Sequence, residues 1–231
     1  MSFSLLKKSV FIFIGITVLA PVFAVADECS GQSKCILVIG NSITRHGPST
    51  RIGWVGDRGM AATTAENDYV SQLIKLLSRN LKDGTWKAER VNAGLLETNP
   101  EKFQLTWSAT QLSKKSNIVI IEAGDNFSLD NGSVDAFSRS YLQTLNTLRP
   151  QNGVLACVGT WWNSSAKNRI IRESCWAARG IYVDISGLSD FPENLAGAEQ
   201  NIANKGVAAH PGDKGMKAIA NRIFESIKQD I

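Results

Sequence analysis

Apolar residues occur along this chain in two patterns, short continuous runs and longer stretches with helical spacing. The runs are rich in Val, Ile and Leu, which is typical of strands buried on both faces of a parallel sheet. Five runs are present, at 35–39, 88–92, 118–122, 154–159 and 181–185. Helical spacing is clearest at 66–81, 134–148, 165–178 and 213–227. This alternation predicts an α/β domain, a three-layer α/β/α sandwich with a five-stranded parallel sheet.

Two segments, 44–64 and 187–209, follow neither pattern. Loops of that length in a compact domain are usually functional or disordered. One follows the first predicted strand and the other precedes the last predicted helix, so we expect both to border a functional site.

The first 26 residues have the features of a secretory signal peptide. Lys7 and Lys8 precede an apolar run, and the small residues at 24–26 suit a signal peptidase. The apolar stretch 10–26 is shorter than the roughly 20 residues of a spanning helix and contains Pro21, which leaves an uncleaved anchor as the less favoured alternative. We predict a signal peptide at 1–26, one domain at 27–231 and a periplasmic or secreted location.

The charge of residues 27–231 indicates no particular partner. They carry 23 basic and 21 acidic side chains, because Lys7 and Lys8 are the charged residues of the segment before them. No basic run with interleaved aromatic residues is present, so nothing indicates nucleic-acid binding. We also expect no stable membrane association after signal cleavage, and the sequence leaves the oligomeric state open.

The four cysteines, at 29, 35, 157 and 175, all follow the predicted signal peptide. An oxidising compartment favours disulfides, and we predict Cys29 with Cys35 and Cys157 with Cys175. Four cysteines allow three pairings, between which the sequence does not choose. Zinc ligation is less favoured, because the chain has no C-x-x-C spacing and only two histidines.

Ser42 lies just after the first predicted strand, where the chain turns at Gly40. Ligands of open parallel sheets bind at the carboxyl ends of the strands, so this hydroxyl is a candidate nucleophile. A serine nucleophile needs a base and donors for the developing oxyanion. Of the two histidines, His210 lies in a turn before the last predicted helix and is the predicted base. His46 lies in the same loop as Ser42, and we expect it to be structural.

Four short polar blocks stand at predicted strand ends and before the last helix, and they are Gly40-Asn41-Ser42, Asn92-Ala93-Gly94, Gly124-Asp125-Asn126 and His210-Pro211-Gly212. In order and spacing they resemble the blocks of the SGNH (GDSL-like) hydrolase superfamily, over essentially the whole of 27–231. The resemblance implies a flavodoxin-like fold, with Ser42 as the nucleophile and His210 as the base. The oxyanion hole would be formed by the backbone N–H groups of Ser42 and Gly94 and the side-chain amide of Asn126.

The chain departs from that family at two positions. Val207 stands three residues before His210, where the family usually has an aspartate that orients the imidazole. Either a backbone carbonyl near Val207 orients the ring, or Asp190 or Asp213 does so, or the enzyme is weak or inactive. We favour the carbonyl and interpret Asp213 as a charge at a helix N-terminus. Asn41 replaces a frequent aspartate, and we expect it to organise the turn.

Three tryptophans lie near predicted strand ends, Trp161 and Trp162 after the fourth strand and Trp54 in the 44–64 segment. We predict that they form a platform for a sugar or an acyl group. Core packing is the alternative for each of them.

Taken with the resemblance, these features predict an exported serine esterase that acts on small acyl esters through a Ser42–His210 dyad and an acyl-enzyme. O-acetyl groups of a polysaccharide are one candidate substrate, so the expected partner is a small-molecule or glycan ester. We expect no metal or organic cofactor. Two alternatives are an O-acyltransferase acting on a glycan and a non-catalytic carbohydrate-binding relative.

Overall fold

The computed structural model describes residues 33–81, 84–129 and 132–231. Its strands are β1 (Lys34–Gly40), β2 (Trp86–Asn92), β3 (Ile118–Glu122), β4 (Val154–Val158) and β5 (Ile181–Val183). They form one parallel sheet in the order β2-β1-β3-β4-β5. The predicted five-stranded parallel sheet is confirmed. The predicted signal peptide lies outside the described residues.

The helices are α1 (Tyr69–Asn80), α2 (Gly94–Thr98), α3 (Trp107–Lys115), α4 (Ser133–Leu148), α5 (Ser165–Ala177), α6 (Ala196–Glu199), α7 (Lys205–Ala208) and α8 (Asp213–Ile227). The four predicted helices correspond to α1, α4, α5 and α8. The others were not predicted, because most are too short to show a hydrophobic period. Among the described residues no helix is long and apolar enough to cross a membrane.

The sheet is buried on both faces, as its continuous apolar strands predict. Alternate residues of β1, such as Ile36 and Val38, pack with α1 and α8 in one apolar core. Their neighbours, Leu37 and Ile39, pack with α4 and α5 in a second core on the opposite face. Since successive side chains of a strand point to opposite faces, one strand supplies both cores. The three-layer α/β/α architecture is therefore confirmed.

The carboxyl ends of the three strands β1, β2 and β3 lie side by side. Gly40, the last residue of β1, is in register with Asn92 of β2 and with Glu122 of β3. A Cβ atom at Gly40 would lie 2.7 Å from the Glu122 carbonyl oxygen, closer than real contacts allow. Glycine at this position therefore allows the chain to turn tightly into Asn41 and Ser42.

The two aperiodic segments are folded against each other. Trp54, Met60 and Ala61 of the first segment pack with Ala196 and Val207 of the second, and we call these five residues the loop core. This contact brings the chain before α8 over the turn that follows β1. Packing between two segments far apart in sequence leaves no periodic signal, which explains why the sequence pattern did not predict it.

One disulfide lies within the described residues, between Cys157 of β4 and Cys175 of α5. The predicted pairing of these two cysteines is confirmed. The other predicted pair includes Cys29, which lies outside the described residues.

Candidate active site

Ser42 and His210 are hydrogen-bonded to each other at the carboxyl edge of the sheet. Ser42 Oγ lies 2.9 Å from Nε2 of His210. The turn that carries Ser42 is held on both sides, because the Ile43 N–H donates to Asn41 Oδ1 and the Met60 N–H donates to the Ser42 carbonyl. The structure therefore brings together the serine and the histidine predicted from sequence.

A backbone carbonyl holds the other side of the imidazole. His210 Nδ1 lies 2.7 Å from the carbonyl oxygen of Gly206 in α7. The His210 backbone N–H donates to Val207 rather than to Gly206, which leaves the Gly206 oxygen available at the end of the short helix. Because a carbonyl only accepts, Nδ1 carries the proton and Nε2 is the acceptor for the Ser42 hydroxyl.

The aspartates considered as alternatives have other contacts. Asp213 accepts hydrogen bonds from the Thr63 N–H at 2.9 Å and from Asn67 Nδ2 at 2.8 Å, so it ties the start of α8 to the segment before α1. Asp190 lies in a 3-10 turn, and no bond joins it to the ring among the described residues. Val207 is 5% exposed and belongs to the loop core.

Burial determines the basicity of His210. Desolvation lowers its pKa from the ordinary 6.5, the Gly206 carbonyl opposes this shift, and the neighbouring His46 adds to it. His46 itself bonds through Nδ1 to the Gly47 carbonyl in its own loop. His210 is therefore neutral at neutral pH, which is the form a general base needs.

The three predicted oxyanion donors follow β1, β2 and β3, and they differ in the hydrogen-bond acceptor that each one already has. The Ser42 N–H has no acceptor among the described residues. The Gly94 N–H donates to the side-chain oxygen of Asn92 at 3.0 Å. Asn126 Nδ2 donates to Glu97 Oε2 at 2.7 Å. Gly94 can give its N–H to a ligand only if the exposed Asn92 side chain moves aside or shares it.

Three acidic residues behind Ser42 form a network that sequence reasoning missed, and they are Glu97, Glu122 and Asp125. Asn41 links two of them, because its Nδ2 donates to Glu97 Oε1 at 3.1 Å and to Asp125 Oδ2 at 3.2 Å. Glu122 accepts from the Thr44 hydroxyl at 2.9 Å. A signal was present for Asp125, which stands in the polar block after the third predicted strand, and for Glu122, which ends an otherwise apolar strand. Nothing in the sequence marks Glu97.

Two of these acids, Asp125 and Glu122, have raised pKa values because they are buried beside other carboxyl groups. Desolvation, followed by the charge of Glu97, raises the pKa of Asp125 to about 7. Desolvation, then Asp125 and Glu97, raise the pKa of Glu122 well above its ordinary value. Among the described residues, no group of three or more histidine, cysteine or acidic side chains is arranged to hold a metal ion.

The predicted tryptophan platform is wrong for two of its three members. Trp161 is 0% exposed in the core, and its Nε1 donates to the Ala209 carbonyl at 3.0 Å. Trp54 is 7% exposed in the loop core, with Nε1 bonded to the His46 carbonyl. Both rings are buried, Trp161 in the core and Trp54 beneath the Arg58 guanidinium, which lies 4.8 Å from its centroid, so neither can stack on a ligand.

Trp162, by contrast, lies at the site. Its ring centroid is 5.0 Å from that of His210, with the two planes almost perpendicular at 86°. Its backbone N–H donates to Asp125 Oδ1 at 3.1 Å, which connects it to the acidic network. The side chain is partly exposed. Trp162 therefore borders both the imidazole and the solvent.

Several solved structures have the same architecture, although no protein-family model and no curated protein sequence matches the chain. The psychrotrophic esterase EstA from Pseudoalteromonas sp. is 12% identical with a TM-score of 0.52, over 85% of this chain and 98% of that one. A protein classed as a GDSL-like lipase from Bacteroides ovatus is 13% identical with a TM-score of 0.52, over 86% of this chain and 100% of that one.

A third match is a two-domain esterase, CEX, active on acetylated mannans. It is 15% identical with a TM-score of 0.55, and the match covers 86% of this chain and 49% of that chain. The five-stranded parallel sheet with its flanking helices matches the α/β sandwich of these proteins. The chain therefore has the fold of the SGNH (GDSL-like) hydrolases.

Proposed function

We propose that this protein is a serine esterase in which Ser42 is the nucleophile and His210 is the general base. The observation that carries the proposal is the 2.9 Å contact between Ser42 Oγ and His210 Nε2, with Nδ1 bonded to the Gly206 carbonyl. A serine hydroxyl is a weak nucleophile until a base accepts its proton. The neutral, oriented imidazole is such a base.

In the proposed reaction, Ser42 Oγ attacks the carbonyl carbon of the ester while Nε2 of His210 takes the hydroxyl proton. The carbonyl oxygen becomes an oxyanion, which accepts hydrogen bonds from the Ser42 N–H, from Asn126 and, once Asn92 releases it, from Gly94. The intermediate then expels the alcohol, which takes the proton from Nε2, and leaves an acyl-enzyme. Water attacks the acyl-enzyme by the same steps and releases the acid.

We propose small acyl esters as substrates, with O-acetyl groups of a polysaccharide as the first candidate. Two features support this choice. The esterase CEX, which is active on acetylated mannans, has the same fold. Trp162 offers a partly exposed aromatic ring beside His210, and indole rings stack on sugars and acyl chains. The disulfide between Cys157 and Cys175 supports export, since such bonds persist in oxidising compartments.

The test is hydrolysis of p-nitrophenyl acetate by the purified protein and by its Ser42→Ala and His210→Ala variants. We expect both variants to lose at least about a thousandfold in kcat/KM, because the two side chains act as a unit. His46→Ala is the matched control, since it removes the other histidine, and its activity should stay near that of the wild type.

Equal slow rates for the wild type and Ser42→Ala would reject the esterase proposal and favour the carbohydrate-binding alternative. If Ser42-dependent turnover is found, adding an oligosaccharide acceptor tests the acyltransferase alternative. Acetylated oligosaccharide accumulating at the expense of acetate would then favour transfer over hydrolysis.

A further inference from the structure

Glu97, which nothing in the sequence marks as functional, makes several hydrogen bonds to residues of the candidate site. Glu97 is 3% exposed and lies in α2, the short helix that follows β2. Oε1 accepts from Asn41 Nδ2 at 3.1 Å, from the Asn126 N–H at 3.3 Å and from the Gly124 N–H. Oε2 accepts from Asn126 Nδ2 at 2.7 Å. One buried carboxylate thus joins the loops that follow β1, β2 and β3.

The carboxylate determines which end of the Asn126 amide faces it. An ionised carboxylate only accepts hydrogen bonds, so the oxygen end of the amide is repelled and the NH₂ end is attracted. One of the two Nδ2 hydrogens is used by Glu97. The other has no acceptor among the described residues, and it lies in the plane of the amide about 120° away from the first, by trigonal geometry. Glu97 therefore leaves a fixed donor at the end of β3.

The same carboxylate orients Asn41 and, through it, the turn of Ser42. Asn41 Nδ2 is attracted by Glu97 and by Asp125, so its oxygen points the other way and accepts the Ile43 N–H at 2.9 Å. Ile43 directly follows the nucleophile. A contact of Glu97 with Asn41 is thus transmitted to the backbone that carries the Ser42 hydroxyl.

We propose that Glu97 is a positioning residue that fixes the donor face of Asn126 toward the oxyanion and holds the Ser42 turn beside it. The proposal rests on the esterase function proposed above. Glu97 touches no reacting atom, and it acts through Asn126 and Asn41. Its effect belongs to the transition state, because the Asn126 donor matters most when negative charge develops on the substrate oxygen.

Glu97→Gln is the informative substitution because it keeps the size of the side chain. The single oxygen of glutamine takes the place where several donors converge, so its NH₂ group faces Asn126 Nδ2. Two donors cannot bond each other, and the Asn126 amide turns over. We expect kcat to fall about a hundredfold, the effect of removing one oxyanion donor, while KM changes less than about threefold.

A double-mutant cycle with Asn126→Ala separates positioning from general destabilisation. If Glu97 acts through Asn126, Glu97→Gln costs little further kcat once Asn126 is alanine. Glu101→Gln is the matched control, because Glu101 is an exposed acid on the turn after α2 and its loss should leave kcat unchanged. Full, additive losses in the double variant would overturn the proposal, as would a rise in KM without a fall in kcat.

A second measurement needs neither turnover nor a stable Glu97 variant. In ¹⁵N-labelled wild-type protein, the Asn126 side-chain NH₂ pair can be assigned by its absence from Asn126→Ala. We expect one of its two protons to be shifted downfield and to exchange slowly, because it is bonded to a buried carboxylate. Two ordinary, fast-exchanging protons would overturn the proposal. Absence of Ser42-dependent hydrolysis, by contrast, would overturn the proposed esterase function. The hydrogen bond between Asn126 and Glu97 would then still be tested by the NMR signals of the Asn126 NH₂ group.

Discussion

The imidazole Nδ1 of His210 lies 2.7 Å from the carbonyl oxygen of Gly206, a neutral acceptor. The SGNH hydrolases usually have an aspartate three residues before the histidine, and Val207 stands there in this chain. A carbonyl fixes the tautomer and orientation of the ring as an aspartate does. It contributes a dipole rather than a full charge, so it stabilises the imidazolium less.

This difference predicts a low pKa for His210, the proposed base. Burial lowers the pKa of His210 below 6.5, and the base is active only when neutral, so activity is present above that pKa and is lost as pH falls through it. We expect the acid limb of the kcat/KM profile to have its midpoint below pH 6.5. Proton NMR of the His210 ring, assigned with His46→Ala, should give the same value. A midpoint above 6.5 would indicate an anionic partner for the ring.

Restoring the family's acid at position 207 should not restore a triad. The Val207 side chain is buried in the loop core with Trp54 and Met60, while the ring is already bonded to Gly206. A carboxyl group at that place lacks a partner and costs about 2 kcal/mol or more of stability. We expect Val207→Asp to unfold at a lower urea concentration than the wild type and to show no gain in kcat. Val207→Ala should lose stability through packing alone, and a higher kcat in Val207→Asp would contradict the orientation of Val207.

The sequence predicted what depends on local pattern and on chain order. Continuous apolar runs such as that of β3 determine a buried parallel strand, and the order of polar blocks indicated Ser42 and His210. The sequence did not predict Glu97, because its role comes from contacts with Asn41 and Asn126 that are distant along the chain. Such contacts leave no periodicity and no short motif.

The tryptophans show that the sequence pattern also does not predict the direction of a side chain. Trp161 and Trp162 are adjacent in sequence, yet one lies in the core and the other borders His210. Position after a strand indicates the edge of the sheet but not the direction of a side chain, which depends on packing against distant elements such as α8. For this reason the pattern alone does not separate a platform from a core residue.

The adjacent tryptophans give a matched pair of variants. Trp161→Ala removes a fully buried indole and should cost about 3–5 kcal/mol of stability, measured by urea unfolding. Trp162→Ala should leave most stability intact and raise KM for an acetylated oligosaccharide two- to tenfold, which corresponds to about 0.5–1.5 kcal/mol of ring contact. An unchanged KM in Trp162→Ala would remove this residue from the substrate site.

Asn41 should not tolerate the aspartate that the family often has in its place. Its amide donates to Glu97 and Asp125 and accepts from the Ile43 N–H. A carboxylate could still accept from Ile43, but it has no hydrogen to donate to the two acids. A further buried acid beside these two would have a raised pKa in the folded state. It therefore destabilises the fold above the pKa of the unfolded carboxyl, about 3.9, and increasingly as pH rises.

We expect Asn41→Asp to lose about 2 kcal/mol or more at pH 8 and less at pH 5, measured by urea unfolding at both values. Its kcat should fall as well, because the Ser42 turn loses its anchor. Asn201→Asp is the control, since Asn201 is exposed and its substitution should change stability by less than about 0.5 kcal/mol. Equal stability of Asn41→Asp and the wild type at pH 8 would contradict the role of the buried Asn41 amide in holding Glu97, Asp125 and the Ile43 N–H.

The disulfide between Cys157 and Cys175 should contribute stability without contributing to catalysis. It closes a loop with a sequence separation of 18, and a loop of that size lowers the entropy of the unfolded chain enough to raise its free energy by about 3 kcal/mol at 25 °C. We expect the Cys157→Ala/Cys175→Ala variant to lose about that much free energy of unfolding while its folded form keeps kcat, since neither sulfur contacts Ser42 or His210. Unfolding the wild type and the variant under the same non-reducing conditions isolates the contribution of this bond. A large fall in kcat at a temperature where the variant is fully folded would show that β4 and α5 position Trp162 through this link.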